Sequence, residues 1–254
     1  MSPARATTGA PTMLLERAMT ILGCFGPDAN ALTLTELSSR TRLPLSSCHR
    51  IVATLVEGGF LDRGDDRRYR VGTTLWTIAQ HAPLSDRLRE SALPALARLY
   101  EETGENITLA VLDNNQALYV ERLMGERSIP TLSRAGGHLP LHTTGVGKVL
   151  LAYQPAETIE RYLSEPLARP TRDSIDQPDS LRRDLAQVRE RGYSITRQEM
   201  TPGSGSIAVP IVVAGRCVAA VGVIVHLARL DVNRLVGTLN RAAATIVAEL
   251  DALD

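Results

Sequence analysis

The chain has 254 residues, 44% of them hydrophobic and 22% charged, an ordinary globular composition with length enough for two compact domains. Its 28 basic residues balance 28 acidic ones, and Lys148 is the sole lysine, so any affinity for nucleic acid must come from a local arginine patch and not from net charge. Cys24, Cys48 and Cys217 are widely spaced without a CxxC pair, which argues against both a disulfide framework and a zinc site.

Residues 1–12 have no apolar signal core and read as disordered. No run approaches the roughly eighteen apolar residues of a membrane helix, so a cytoplasmic protein without membrane contact is expected. Leu14, Ala18, Ile21, Leu22 and Phe25 recur at helical spacing. Thr33-Leu34-Thr35-Glu36 is a capping-box start for a short second helix, and Pro44 breaks the chain before a third. That third helix, from about Leu45 to Glu57, sets an apolar stripe of Ile51, Leu55 and Val56 apart from Ser46, Ser47, His49 and Arg50. Gly58-Gly59 ends it. Residues 60–63 and 68–71 then read as two strands around Gly64-Asp65-Asp66-Arg67.

Capped helix, tight turn, second helix and basic hairpin together predict a winged helix-turn-helix for double-stranded operator DNA. Seven arginines stand against four acids between Arg40 and Arg70. Thr35, Ser46, Ser47, His49 and Arg50 are the candidate contacts on the helices, and Arg67 and Arg68 those on the wing, where phosphate is the expected partner.

Residues 73–81 read as a helix anchored by Trp76, and the expected division is 13–72 for the DNA-binding domain, 73–83 for a helical linker and 84–254 for the second domain. The latter opens with an amphipathic helix over 84–102, bent or restarted at Pro94. Alternating segments at 106–112 and 116–122, and again at 193–199, 206–213 and 217–225, predict β-hairpins. Short helices are predicted near 144–153, 157–163 and 180–191, with a closing helix from about 231 to 253. Hairpins flanked by helices make an α+β domain.

The segment His142-Thr143-Thr144-Gly145-Val146-Gly147-Lys148 sets hydroxyls and glycines at a helix start, where free amides and the helix dipole favour an anion. It lacks the first glycine of a P-loop, so nucleotide is not expected. Gly203-Ser204-Gly205-Ser206 is not a nucleophile elbow and has no identifiable base. His138 and His142 are separated by Pro140, so no metal and no cofactor are expected.

The segments LTLTELSSRTRLPLSSCHRIVATLVEGGFL, ALPALARLYEETGENITLAVLD, LPLHTTGVGKVLLA and RERGYSITRQEMTPGSGSIAVPI make the chain resemble the IclR family of bacterial transcription regulators over nearly its whole length. The TPGSGSIAVP wording is similar to the relatives that control aromatic catabolism. The resemblance implies an N-terminal winged helix-turn-helix and a C-terminal effector-binding domain with a curved antiparallel sheet, GAF-like in arrangement. It also implies a homodimer or a dimer of dimers, a role as repressor or activator of transcription, and a small organic acid as effector. Leu141, Gly145, Val146, Thr196, Ser204, Ser206, Gly222 and Ile224 are the implied effector positions. Gly222 and Ile224 stand where relatives carry serines, which implies an apolar or aromatic body for the acid. Strand alternation puts Gly222, Ile224 and His226 on one face and Val221, Val223 and Val225 on the other.

Two other readings differ in class: an enzyme with a DNA-binding appendage, which needs a titratable constellation that the second half does not offer, and an architectural DNA-binding protein without an effector.

Overall fold

A computed structural model of the chain describes residues 14–26, 29–81, 84–127 and 129–252. The expected disordered stretch 1–12 lies outside the described residues. The chain forms two compact units, Met1–Ala82 and Pro83–Asp254.

The first unit runs α1 (Leu14–Leu22), α2 (Leu34–Thr41), α3 (Leu45–Glu57), β1 (Leu61–Arg63), β2 (Tyr69–Val71) and α4 (Thr73–Gln80). Its core is Ile21, Leu32, Leu37, Cys48, Ile51, Val52, Leu61 and Tyr69. Cys48 and Val52 complete the buried stripe of α3, with Leu55 and Val56 only partly buried. The hairpin is held to the rest of the unit by a bridge in which Leu32 and Tyr69 exchange both backbone hydrogen bonds, at 2.9 and 2.7 Å. Two expectations fail here. Leu14 does not join the core but is exposed, as are Leu15 and Met19; and Trp76, expected to anchor α4, is 65% exposed. No residue of α4 is fully buried: Leu75 is half-covered, while Trp76 and Ile78 lie on its exposed side.

The second unit opens with a π-helical segment, Leu84–Arg89, that passes into α5 (Glu90–Thr103). Pro94 sits inside α5, where it has no N–H to offer the carbonyl of Glu90 one turn back. Then follow β3 (Asn106–Asp113), β4 (Gln116–Leu123), β5 (His138–Pro140), α6 (Gly145–Ala152), α7 (Ala156–Leu163), α8 (Pro178–Arg191), β6 (Ser194–Arg197), β7 (Ser204–Val213), β8 (Arg216–His226) and α9 (Val232–Asp251). The short strand β5 is not anticipated by the sequence. All six strands pair antiparallel in the order β5-β4-β3-β8-β7-β6. Bulges at Leu109/Ala110 and Ile211/Val212 bend strands and raise local twist, in keeping with a curled sheet.

Each face of the sheet carries its own core. Ile107, Leu109, Val209, Val221, Val223 and Val225 pack beneath α5 and α9. Ala110, Tyr119, Ala208 and Ala220 face α6, with α7 and α8 outside it. The residues under α6 are small because that helix is seated close to the strands. A Cβ added at Gly222 would lie 2.9 Å from Val146 Cγ1 and 3.2 Å from the Ile207 carbonyl oxygen, and one at Gly145 would lie 2.7 Å from Ser206 Oγ. Gly147 is tighter still, its added Cβ falling 2.5 Å from Leu141 O and 2.6 Å from Leu141 Cα. Backbone cannot yield as a flexible side chain does. Gly147→Ala is therefore expected to lower stability by about 1–3 kcal/mol, as overpacking of a close-packed contact does, and chemical denaturation followed by circular dichroism measures it.

Candidate DNA interface and effector cavity

The first site is built on α2 and α3. Thr33 caps α2: its hydroxyl accepts from Glu36 N at 3.2 Å, and the Glu36 carboxylate accepts from Thr33 N at 2.7 Å. The Thr33 amide, and after it the Thr33 hydroxyl, which donates to the same Glu36 oxygen at 2.8 Å, hold the Glu36 carboxyl below its ordinary range. Pro44 precedes α3 without a side-chain cap, so the amides at that helix start have no side-chain acceptor of their own. At 100° per residue, Ser46, His49 and Arg50 fall on the side of α3 opposite Cys48, Val52 and Leu55. They are exposed, as is Thr35 on α2, whereas Ser47 is half-buried. Arg50 also borders an apolar groove whose other walls include Leu14, Leu15, Ala18 and Leu55.

The wing separates its arginines by role. Arg68, expected to reach phosphate, is turned inward: its Nη1 donates to Ala31 O at 3.1 Å and to Glu36 Oε2 at 3.2 Å. Arg70 donates to both carboxylate oxygens of Asp66, at 3.1 and 2.6 Å, and these bonds pull the Asp66 carboxyl down to about 2. Arg63 lies over the Tyr69 ring, 5.7 Å from its centroid. Arg67, at the turn with φ +58°, is exposed. Two neighbouring arginines thus face different tasks, a distinction that composition cannot make.

The second site is a narrow cavity, open to solvent at its mouth, between the sheet and the first turn of α6. Gly145 and Val146 line it from the helix, Thr196, Ser204 and Ser206 from β6 and β7, and Gly222 and Ile224 from β8. Strand register explains the convergence, because Thr196 pairs with Ser206 and Ser206 with Ile224 in one row across three strands, and paired residues share a face. The Thr196 and Ser206 hydroxyls are 2.6 Å apart. Leu141 is not in the wall. It is turned into the apolar cluster behind α6, and Leu139, two residues earlier, takes the lining position.

Sequence reasoning missed several lining groups: Thr108 on β3, Tyr119 on β4, the segment Thr131–Ser133, and Met200. Thr108 carried a signal, as a polar residue inside the apolar strand Ile107–Leu112. The others carried none, since their approach depends on pairings distant in sequence. With Tyr119, Thr144 and Ser133 the wall holds more hydroxyls than Gly222 and Ile224 suggest, and no charged side chain lines it. Burial pushes the Tyr119 phenol far up, so it stays neutral.

At the head of the cavity, Thr144 caps α6 by accepting from Gly147 N at 3.2 Å. The helix has no internal acceptor for the amides of Gly145 and Val146, and the dipole favours negative charge there. Lys148 adds no cation to the cavity. Its ammonium is buried, 1% exposed, between Asp184 at 2.7 Å and Glu199 at 2.8 Å.

The three histidines of the second unit have partners within the fold. His142 Nε2 donates to Ala168 O at 2.7 Å, which leaves Nδ1 to accept from the Tyr162 hydroxyl at 2.7 Å. Burial holds the imidazole below its ordinary pKa, in keeping with that neutral tautomer. His138 pairs with Asp113, and His226 is not a polar neighbour of the cavity but accepts from Ala228 N at 3.2 Å. Among the described residues no cluster of metal-binding side chains occurs, nor does any helix long and apolar enough to cross a membrane.

Two family models match the chain, the IclR helix-turn-helix domain over residues 14–65 and the bacterial transcriptional regulator IclR C-terminal domain over residues 81–248. Among curated proteins, the chain is 34% identical to the HTH-type transcriptional regulator BhcR of Paracoccus denitrificans, over 82% of this chain and 76% of that protein. It is 33% identical to the Pca regulon regulatory protein of Pseudomonas putida, over 92% and 83%. Among solved structures, an IclR homologue of Microbacterium hydrocarbonoxydans complexed with 4-hydroxybenzoate is 35% identical. That structure superimposes with a TM-score of 0.91 over 94% of this chain and all of that one. The IclR of Thermotoga maritima, 27% identical, superimposes with a TM-score of 0.75 over 93% and 98%. Winged helix-turn-helix, curled antiparallel sheet and both family models agree: the chain belongs to the IclR family of bacterial transcriptional regulators.

Proposed function

We propose that the cavity beside α6 binds a small carboxylic acid with an aromatic or apolar body and that its occupancy changes the affinity of the first unit for operator DNA. The carboxylate is set at the Gly145 and Val146 amides and the body against Thr196, Ser206, Gly222 and Ile224. The observation that carries this reading is the wall itself. Apolar groups and neutral hydroxyls surround one anion-favouring helix start, which suits a ring bearing a single charge and gives little to a compact, heavily hydrated acid. The 4-hydroxybenzoate held by the Microbacterium relative is an acid of this kind. The protein then works as a homodimer or dimer of dimers on a two-fold operator, without turnover, through a coupling free energy of about 1–3 kcal/mol between sites. The modules that carry this are residues 13–72 for DNA, 73–83 as connection and 84–254 for the effector.

A thermal-shift panel is expected to favour 4-hydroxybenzoate and benzoate over glyoxylate and pyruvate, since a ligand that binds only the folded state raises its apparent stability. Gly222→Leu is a poor control, because its Cβ already meets Val146. Ile224, half-buried at the wall, has more freedom, so Ile224→Trp is expected to abolish the shift while DNA binding persists. A panel in which glyoxylate stabilises and aromatic acids do not overturns the assignment.

For the DNA face, Arg50→Ala is expected to weaken operator binding by about 1–3 kcal/mol without loss of folding. Arg67→Ala is expected to weaken cognate and unrelated duplexes alike and to flatten the salt dependence by about one unit of slope. Fluorescence anisotropy across a salt series reads both, and an unchanged affinity for a folded Arg50→Ala protein removes that residue from the interface.

A further inference from the structure

The sole lysine of the chain is spent on neither solvent nor ligand. Lys148 lies on α6 within one turn of Gly145 and Val146, and its buried ammonium meets Glu199 through both carboxylate oxygens, at 2.9 and 2.8 Å, and Asp184 of α8 at 2.7 Å. Glu199 directly precedes Met200 and Thr201, which line the cavity.

The turn that carries these residues is held from several sides. Gln198 has φ +59°, its amide donates to Ser204 O at 2.7 Å, and its side-chain oxygen accepts from Gly203 N at 3.0 Å. The Thr171 and Ser174 hydroxyls donate to Gln198 O and Glu199 O, each at 2.7 Å. Thr143, itself in the cavity wall, donates to Met200 Sδ at 3.2 Å. Of these ties, the Lys148 pair joins the turn to the helix that supplies the anion-favouring amides, and it is the charged one.

We propose that Lys148 is the positioning residue of the cavity: its ammonium clamps the turn Gln198–Gly203 to α6 and to α8, and so sets where the Met200 and Thr201 wall stands relative to the Gly145 and Val146 amides. Burial pushes the Glu199 carboxyl above its ordinary range against the opposing pull of the Lys148 ammonium, so the contact to that ammonium is what the buried carboxylate depends on. The consequence for effector affinity rests on the cavity reading above; the clamp itself is tested without ligand.

Removing the ammonium alone leaves the buried Glu199 carboxylate beside half-buried Asp184 without a counter-charge and invites unfolding. The decisive protein is therefore the full chain carrying Lys148→Met, Asp184→Asn and Glu199→Gln together, which keeps shape and removes every charge of the triad. Hydrogen exchange is measured first, with no ligand present. In the folded triple variant, exchange at Gln198, Gly203 and Ser204 is expected to quicken about tenfold while sheet amides such as Ile207 and Val221 keep their protection. Calorimetric titration with 4-hydroxybenzoate is then expected to show about tenfold weaker binding than the parent chain. A folded triple variant whose turn exchanges as slowly as the parent's overturns the proposal. So does one whose turn loosens while an unchanged affinity is measured. A parent chain that does not bind 4-hydroxybenzoate overturns the effector reading alone, and the exchange measurement still decides the clamp.

Discussion

The second unit depends on how closely α6 lies against its sheet. Gly145, Gly147 and Gly222 meet neighbouring atoms so tightly that a Cβ is excluded or strongly opposed, and Ala110, Ala208 and Ala220 keep the surface beneath the helix low. A close-packed interior loses dispersion energy wherever a gap opens, so such a helix has one seat. That seat fixes the direction of its amides, and the cavity lies where the helix start, the strands and the Thr131–Ser133 segment fail to close completely. The cavity is thus the edge of a packing contact and not an added feature.

The first unit uses a different economy. Its hydrophobic core is small, and polar ties fix the hairpin: the Leu32–Tyr69 bridge and the bonds from Arg68 to Ala31 and Glu36. Side-chain ion pairs this exposed contribute little to stability. Their effect lies in geometry, since the same Glu36 carboxylate caps α2 and receives Arg68. Helix start and wing are referred to one acidic group. Arg40, Arg42, Arg50 and Arg67 remain exposed on this unit, a local basic surface on a protein of zero net charge.

Much of this was legible in the sequence where the determinant is local. The capping box at Thr33, the break at Pro44 and the alternation that put Gly222 beside Ile224 depend on residues within a few positions of one another. What was not legible depends on pairing at a distance. Tyr119 and Glu121 alternate as if they shared a face, yet the bulge at Leu109/Ala110 sets Tyr119 opposite Ala110 and Glu121 opposite Leu109, on different sides of the sheet. Tyr119 then lines the cavity, while Glu121 pairs with Arg89 at 2.8 Å. Trp76 shows the opposite failure: a strong local hydrophobic signal with no cover in the described structure.

The burial of Lys148 has a consequence for the chemistry of the chain as a material. Arginine carries every other basic position, and guanidinium does not acylate under conditions that modify amines. An ε-amino group held between two carboxylates and shut from water is unreactive until α6 or its surroundings open. Acylation of this one side chain therefore counts opening events at a single, known place, and its rate is a clock for the local breathing of the unit.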